Sequence, residues 1–207
     1  MQIYCERCGR AIKQHPGRFI FFVRHGQTNL NKQSRTIGSI DVPLNGRGRK
    51  QARALASTIK YNLPKIHAIL TSPLARARET AEIIGRTLHK RPIIDVRLRE
   101  RTAGILEGKP ERKNSYKRLL QPSYNPRDAE PSANFEHRIR DFLATIKKSS
   151  SHKNTLVITH GLTLLTAVKI LKRWSVAQLL KYPLPNTGVI IAFGVTRHKF
   201  DKKVISC

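Results

Sequence analysis

A chain of 207 residues has room for one domain with a substantial core, and not for two of ordinary size. Its 40 lysines and arginines against 13 acidic residues give a formal charge of +27, a field that draws polyanions: nucleic acid, acidic membranes or phosphorylated substrates. No apolar run approaches a membrane span and three cysteines make no disulfide framework, which excludes a helical membrane protein and a stapled scaffold.

Residues 1–17 lack the apolar core and cleavage site of a secretory signal and read as an N-terminal extension. A cytoplasmic location is the expectation, and the basic, acid-poor composition of this segment leaves a mitochondrial presequence as the alternative. Within it, Cys5-x-x-Cys8 is half a zinc ribbon, which His15 and Cys207 complete only if the termini meet. Two free thiols are the plainer reading.

Residues 18–207 read as a single domain. Phe19–Val23 is a short unbroken apolar run, the length of a buried strand. It stops at Arg24-His25-Gly26, where a cation, an imidazole and a residue without Cβ suit an anionic ligand close to the backbone. Residues 28–38 are polar and loop-like. A helix is expected over Arg49–Tyr61, with Ala52, Leu55, Ala56 and Ile59 on one face. Ala68–Thr71 is a second strand, and Ser72-Pro73 has the signature of a helix start. Ile93–Val96 is a third strand. Residues 109–118 are strongly basic, and 124–131 are punctuated by proline. Helices over Phe135–Lys148, from Gly161 to about Lys172 and over Ser175–Lys181 surround a β-branched strand at Thr155–Thr159. Gly188–Val195 is a further strand and Lys199–Ile205 an antiparallel edge. Strands alternating with helices indicate an α/β three-layer sandwich around a mostly parallel sheet.

RHGQTNLN from Arg24, TSPLARARETA from Thr71, LRERTAGILEG from Leu98, VITHG from Val157 and LPNTG from Leu184 occur in that order. Together these resemble the histidine phosphatase superfamily, also called the phosphoglycerate mutase-like family, over roughly residues 19–195. The resemblance implies that fold and a phosphate pocket made by Arg24, His25, Arg76 and His160. His25 would be the nucleophile and phosphate carrier, Asn31 a phosphate contact, and Gly38 and Gly161 close backbone approaches. Glu100 matches the general acid, which must be protonated when the leaving oxygen departs. Glu107 is its rival, but its LEG context matches a structural turn, and Arg78 is assigned to the surface.

Arginines and histidines supply the charge this chemistry needs, so neither metal nor organic cofactor is expected. The implied partner is a small phosphorylated substrate; oligomeric state is open. Only 59 residues separate Glu100 from His160. That compact insertion, lid-like over about 101–135, resembles the phosphatase branch, and a short lid excludes water poorly. Phosphoglycerate mutase-type phosphotransfer is the first alternative. A basic member of the fold associated with nucleic acid or ribonucleoprotein is the second. The chain departs from the family at Ile37, where Gln or Thr is usual, and at EPSANFEH, a degenerate form of a GES-like segment.

Overall fold

Every residue of Phe19–Val23 is buried, because strand β1 (Arg18–Arg24) lies inside a sheet covered on both faces. Phe19, Phe21 and Val23 enter one core; Ile20 and Phe22 enter the other. A strand buried on both faces has no polar side, which explains the continuous apolar run. The computed structural model describes residues 13, 18–111, 118–148, 154–180, 190–195 and 200–201, the last two segments by their backbone alone.

The remaining elements follow in chain order: helix α1 (Asn29–Lys32), α2 (Gly46–Asn62), β2 (Ala68–Thr71), α3 (Ala75–Leu88) and β3 (Pro92–Ile94). Two short 3₁₀ turns, Val96–Leu98 and Gly104–Leu106, lead to α4 (Ser132–Lys148). Then come β4 (Thr155–Thr159), α5 (Gly161–Lys172), α6 (Val176–Leu180), β5 (Ile190–Val195) and β6 (Phe200–Asp201). The sheet order is β3-β2-β4-β1-β5-β6. The first four strands are parallel; β5 pairs antiparallel with β1, and β6 with β5. Ala52, Leu55, Ala56 and Ile59 of α2 and Ala77, Ala81 and Ile84 of α3 cover one face of the sheet. Residues of α4 and α5 cover the other. The three-layer α/β sandwich expected from the sequence is the observed one.

Three local expectations are corrected. The segment 28–38 is not all loop, since Thr28 caps α1 through a reciprocal box with Asn31. Ser72-Pro73 does not open α3. The helix begins at Ala75, whose N–H donates to Asp41 Oδ1 (2.6 Å), while the Ser72 hydroxyl accepts from Leu74 N–H just before it (3.3 Å). The third strand stops at Ile94, where Asp95 caps the following 3₁₀ turn. Cys5, Cys8, His15, Cys207 and the LPNTG motif fall outside the described residues, as do residues 112–117 of the basic stretch. Among the described residues, no helix is long and apolar enough to cross a membrane.

Two glycines of α2 test how this fold holds the RHG turn. A Cβ on Gly48 would collide with the backbone of Gln27, whereas one on Gly46 meets nothing within 4 Å. Gly48→Ala is therefore expected to lose about 1–3 kcal/mol of stability, as overpacking does. Gly46→Ala should hold or gain up to about 1 kcal/mol through helix propensity. Urea denaturation of both variants reads the difference, and equal stabilities would contradict the placement of α2 against Gln27.

Candidate active site

β1, β2 and β4 run parallel and end together, so the residues that follow each strand meet at one edge of the sheet. Arg24 is in register with Thr159, His25 N–H donates to Thr159 O (2.9 Å) and Ser72 N–H donates to Ile158 O (3.1 Å). The cavity at this edge has a volume of about 270 Å³, and Arg24, His25, Asn31, Gly38, Arg76, Glu100 and Gly161 all line it. His160, fully buried, packs behind them with its ring centroid 5.1 Å from that of His25. All eight residues singled out in the sequence for catalysis or phosphate binding are thus brought together.

The tautomer of His25 follows from its neighbours. Nδ1 lies 2.7 Å from Gly26 O, which can only accept, so Nδ1 carries the proton. Nε2 keeps its lone pair and accepts from Arg76 Nε–H at 3.2 Å. Burial, then the charges of Arg76 and Arg24, hold the imidazole well below its ordinary pKa, against a smaller opposite effect of the Gly26 carbonyl. The ring is neutral at physiological pH, with a basic nitrogen facing the cavity.

Arg76 is itself almost wholly buried, and its position is built by backbone. Nη1 donates to Ile40 O (2.7 Å) and Nη2 to Gly38 O (2.8 Å). Gly38 turns at φ +54°, where a Cβ would strike Glu107. Burial lowers the Arg76 pKa to about 10, which leaves it a cation at neutral pH. Arg24 lies across Gly161, its guanidinium carbon 3.5 Å from where a Cβ would stand. Asn31 spends its Oδ1 on Thr28 N–H and Oγ–H, so its amide Nδ2 is the group left to donate toward the cavity.

Glu100 and Glu107 divide as expected. Glu107 accepts from Ser39 N–H, Ser39 Oγ–H and Ala103 N–H, clamping two loops together. Glu100 is buried and faces the cavity. It also caps α5, accepting from Leu162 N–H on Oε2 and from Thr163 N–H and Oγ–H on Oε1. Arg78 is exposed, in keeping with its surface assignment.

Sequence reasoning missed four supports. Ser72 Oγ lies 2.7 Å from His160 Nε2 and also accepts from Leu74 N–H (3.3 Å), joining His160 to the approach to α3. Thr80 accepts from Gly26 N–H (3.0 Å) and donates to Arg76 O (2.7 Å), tying the RHG turn to α3. Arg138 donates to the carbonyls of Arg97, Arg99 and Glu100 and pairs with Glu130, the first residue of the degenerate segment that runs into α4, so Glu130 helps hold the Glu100 backbone through Arg138. Arg101, fully buried, holds the carbonyls of Glu130, Leu119 and Tyr124. Of these, Thr80 alone carried a signal, one helical turn beyond Arg76. The described end of the basic stretch contributes an acid, Glu111, to the cavity rim opposite Arg35.

Residues 20–205 match the histidine phosphatase superfamily (branch 1). The chain is 36% identical over 145 residues to the uncharacterized phosphatase PhoE of Bacillus subtilis, covering 69% of this chain and 71% of that one. It is 30% identical over 171 residues to the probable phosphoglycerate mutase GpmB of Shigella boydii, covering 77% and 79%. Among solved structures, Bacillus stearothermophilus YhfR superposes with a TM-score of 0.78 at 27% identity, covering 91% of this chain and 95% of that one.

The two buried imidazoles tie stability to pH. Burial and neighbouring arginines depress both His25 and His160 below the unfolded value of about 6.5, so the unfolded chain binds protons first as pH falls. Their contribution is complete above that value and is lost on acidification below it. Denaturation between about pH 7.5 and 5 should show this loss, and His160→Gln should reduce its slope by up to about 1.4 kcal/mol per pH unit. An unchanged slope would show that His160 titrates normally.

Proposed function

Because the chain belongs to the histidine phosphatase superfamily and is a phosphoric monoester hydrolase of that family, we propose that its eight clustered residues hydrolyse a small phosphorylated metabolite through a phosphohistidine on His25. The observation that carries this reading is the neutral His25, with its unprotonated Nε2 against the buried Arg76 in a cavity of about 270 Å³. Nε2 attacks phosphorus in line with the leaving oxygen. Arg76 Nε–H, released from Nε2 by the incoming phosphoryl group, transfers its hydrogen bond to an equatorial oxygen, and Arg24 and Asn31 supply further donors. With Ser72 donating to His160 Nε2, His160 Nδ1 bears a proton, and this buried atom has no partner among the described residues. A phosphoryl oxygen would supply one.

Glu100 protonates the leaving oxygen and afterwards takes a proton from the water that opens the phosphohistidine. Its place at the N-terminus of α5 links it to the element that follows His160, so acid and phosphate site move as one body. Hydrolysis rather than phosphotransfer follows from the short connection between Glu100 and His160, whose one described long element, α4, packs on the sheet and not over the cavity.

Phosphate release measured in EDTA should survive chelation and disappear in His25→Ala. Glu100→Gln is expected to lose about 10²–10⁴-fold in turnover on alkyl phosphates. It should lose far less on p-nitrophenyl phosphate, whose leaving group needs no proton. Acid-stable label on the protein after quenching would contradict a phosphohistidine. With a phosphoglycerate as substrate, movement of phosphate without release would replace the hydrolase reading by the mutase one.

A further inference from the structure

One helix carries its share of the +27 charge with no acid of its own. α2 contains five basic residues and no acidic one. Arg49 pairs with Glu79 of α3 at 2.5 Å. The other four, Arg47, Lys50, Arg53 and Lys60, are exposed, and none forms an ion pair with a described residue. Their spacing places them on the helix face opposite the one that carries Ala52, Leu55, Ala56 and Ile59 into the core. Between them this face offers only the small side chains Ala54 and Ser57. At its end Tyr61 is 65% exposed, with Lys60 Nζ 5.9 Å from its ring centroid.

A merely solvated helix face mixes charges of both signs. That is the pattern around α4, where Arg140 and Lys169 share Glu136 and Arg97 pairs with Asp141. α2 departs from it along its whole length.

We propose that this face of α2 is a docking surface for single-stranded nucleic acid. Arg47, Lys50 and Arg53 follow one another at three-residue steps, about 5–6 Å apart, and Lys60 stands two turns further on, a track that can follow a chain of phosphates. From Arg47 to Tyr61 the face is about 21 Å long. That length spans about six nucleotides stacked 3.4 Å apart. The small residues between the cations let a backbone approach, and the exposed Tyr61 ring gives a base a flat apolar partner. This pairing of a charged track with an aromatic platform is how single strands are held without sequence preference. An acidic protein would satisfy the cations and leave the ring unused. None of the four cations lines the catalytic cavity, so the docking surface stands independently of the hydrolase chemistry.

The test is fluorescence anisotropy of a labelled oligouridylate over a series of KCl concentrations. Wild type should bind, with log affinity falling linearly against log salt. Neutralising the four cations (Arg47→Gln, Lys50→Gln, Arg53→Gln and Lys60→Gln together) should flatten that slope by about 3, at about 0.7 per phosphate contact. Tyr61→Ala should weaken binding about tenfold. Both variants should keep wild-type circular dichroism and wild-type phosphate release. A control neutralising the exposed Arg127, Arg140, Lys148 and Arg173 should retain most of the affinity. Absence of binding at low salt, equal flattening in the control, or tighter binding to polyglutamate or duplex than to the single strand would overturn the proposal.

Discussion

A guanidinium taken out of water without a carboxylate against it is the constraint around which this site is arranged. Arg76 is 1% exposed, and its hydrogen bonds go to two backbone carbonyls and one imidazole, all neutral. Such a cation is expensive to bury and is tolerated only where every donor is met. The loop that presents the Gly38 and Ile40 carbonyls must therefore be held firmly, and Glu107 does this by binding Ser39 and Ala103 at once. The result is a pocket in which Arg76 carries fixed positive charge with only neutral groups as its hydrogen-bond partners, an arrangement that a phosphoryl group completes.

The same charge sets the chemistry of the histidines. An imidazole away from water and beside Arg76 and Arg24 cannot easily hold a second proton, so His25 keeps a lone pair on Nε2 where an exposed histidine would be partly protonated. Its orientation costs little, because the Gly26 carbonyl one residue away fixes Nδ1 as the donor. His160 is held by Ser72 from the neighbouring strand end. The parallel register of β1, β4 and β2 is what lets three separate stretches of chain contribute to a volume of about 270 Å³.

Acidic residues are scarce in this chain, and the described ones near the site each hold backbone in place. Glu100 caps α5, Glu107 joins two loops, Glu130 anchors Arg138, and Asp41 caps α3. With so few acids, and several of them committed to these tasks, Arg47, Lys50, Arg53 and Lys60 have no ion-pair partner among the described residues. α2 shows the consequence most plainly.

The five positions proposed for the chemistry, Arg24, His25, Arg76, Glu100 and His160, were legible through the ordered motifs that resemble the family, and the fold gathers them at one edge of the sheet. The buried strands were legible for a similar reason, since FIFFV and TLVIT have no polar side to offer water. What the sequence left undecided were the supports. Ser72 looked like a helix cap because local propensity favours that role; its hydroxyl does accept from Leu74 N–H, but it also meets His160, 88 residues away, which no local pattern announces. Thr80, Arg101 and Arg138 look like ordinary helix or loop residues, and their partners are carbonyls contributed by distant segments. The sequence by itself, through the order of its motifs and their resemblance to the family, thus pointed to the groups proposed to act on phosphate. Which hydroxyl, carbonyl or amide holds each of them was decided by tertiary packing alone, because a hydrogen bond depends on the meeting of two groups in space and a sequence records the position of only one at a time.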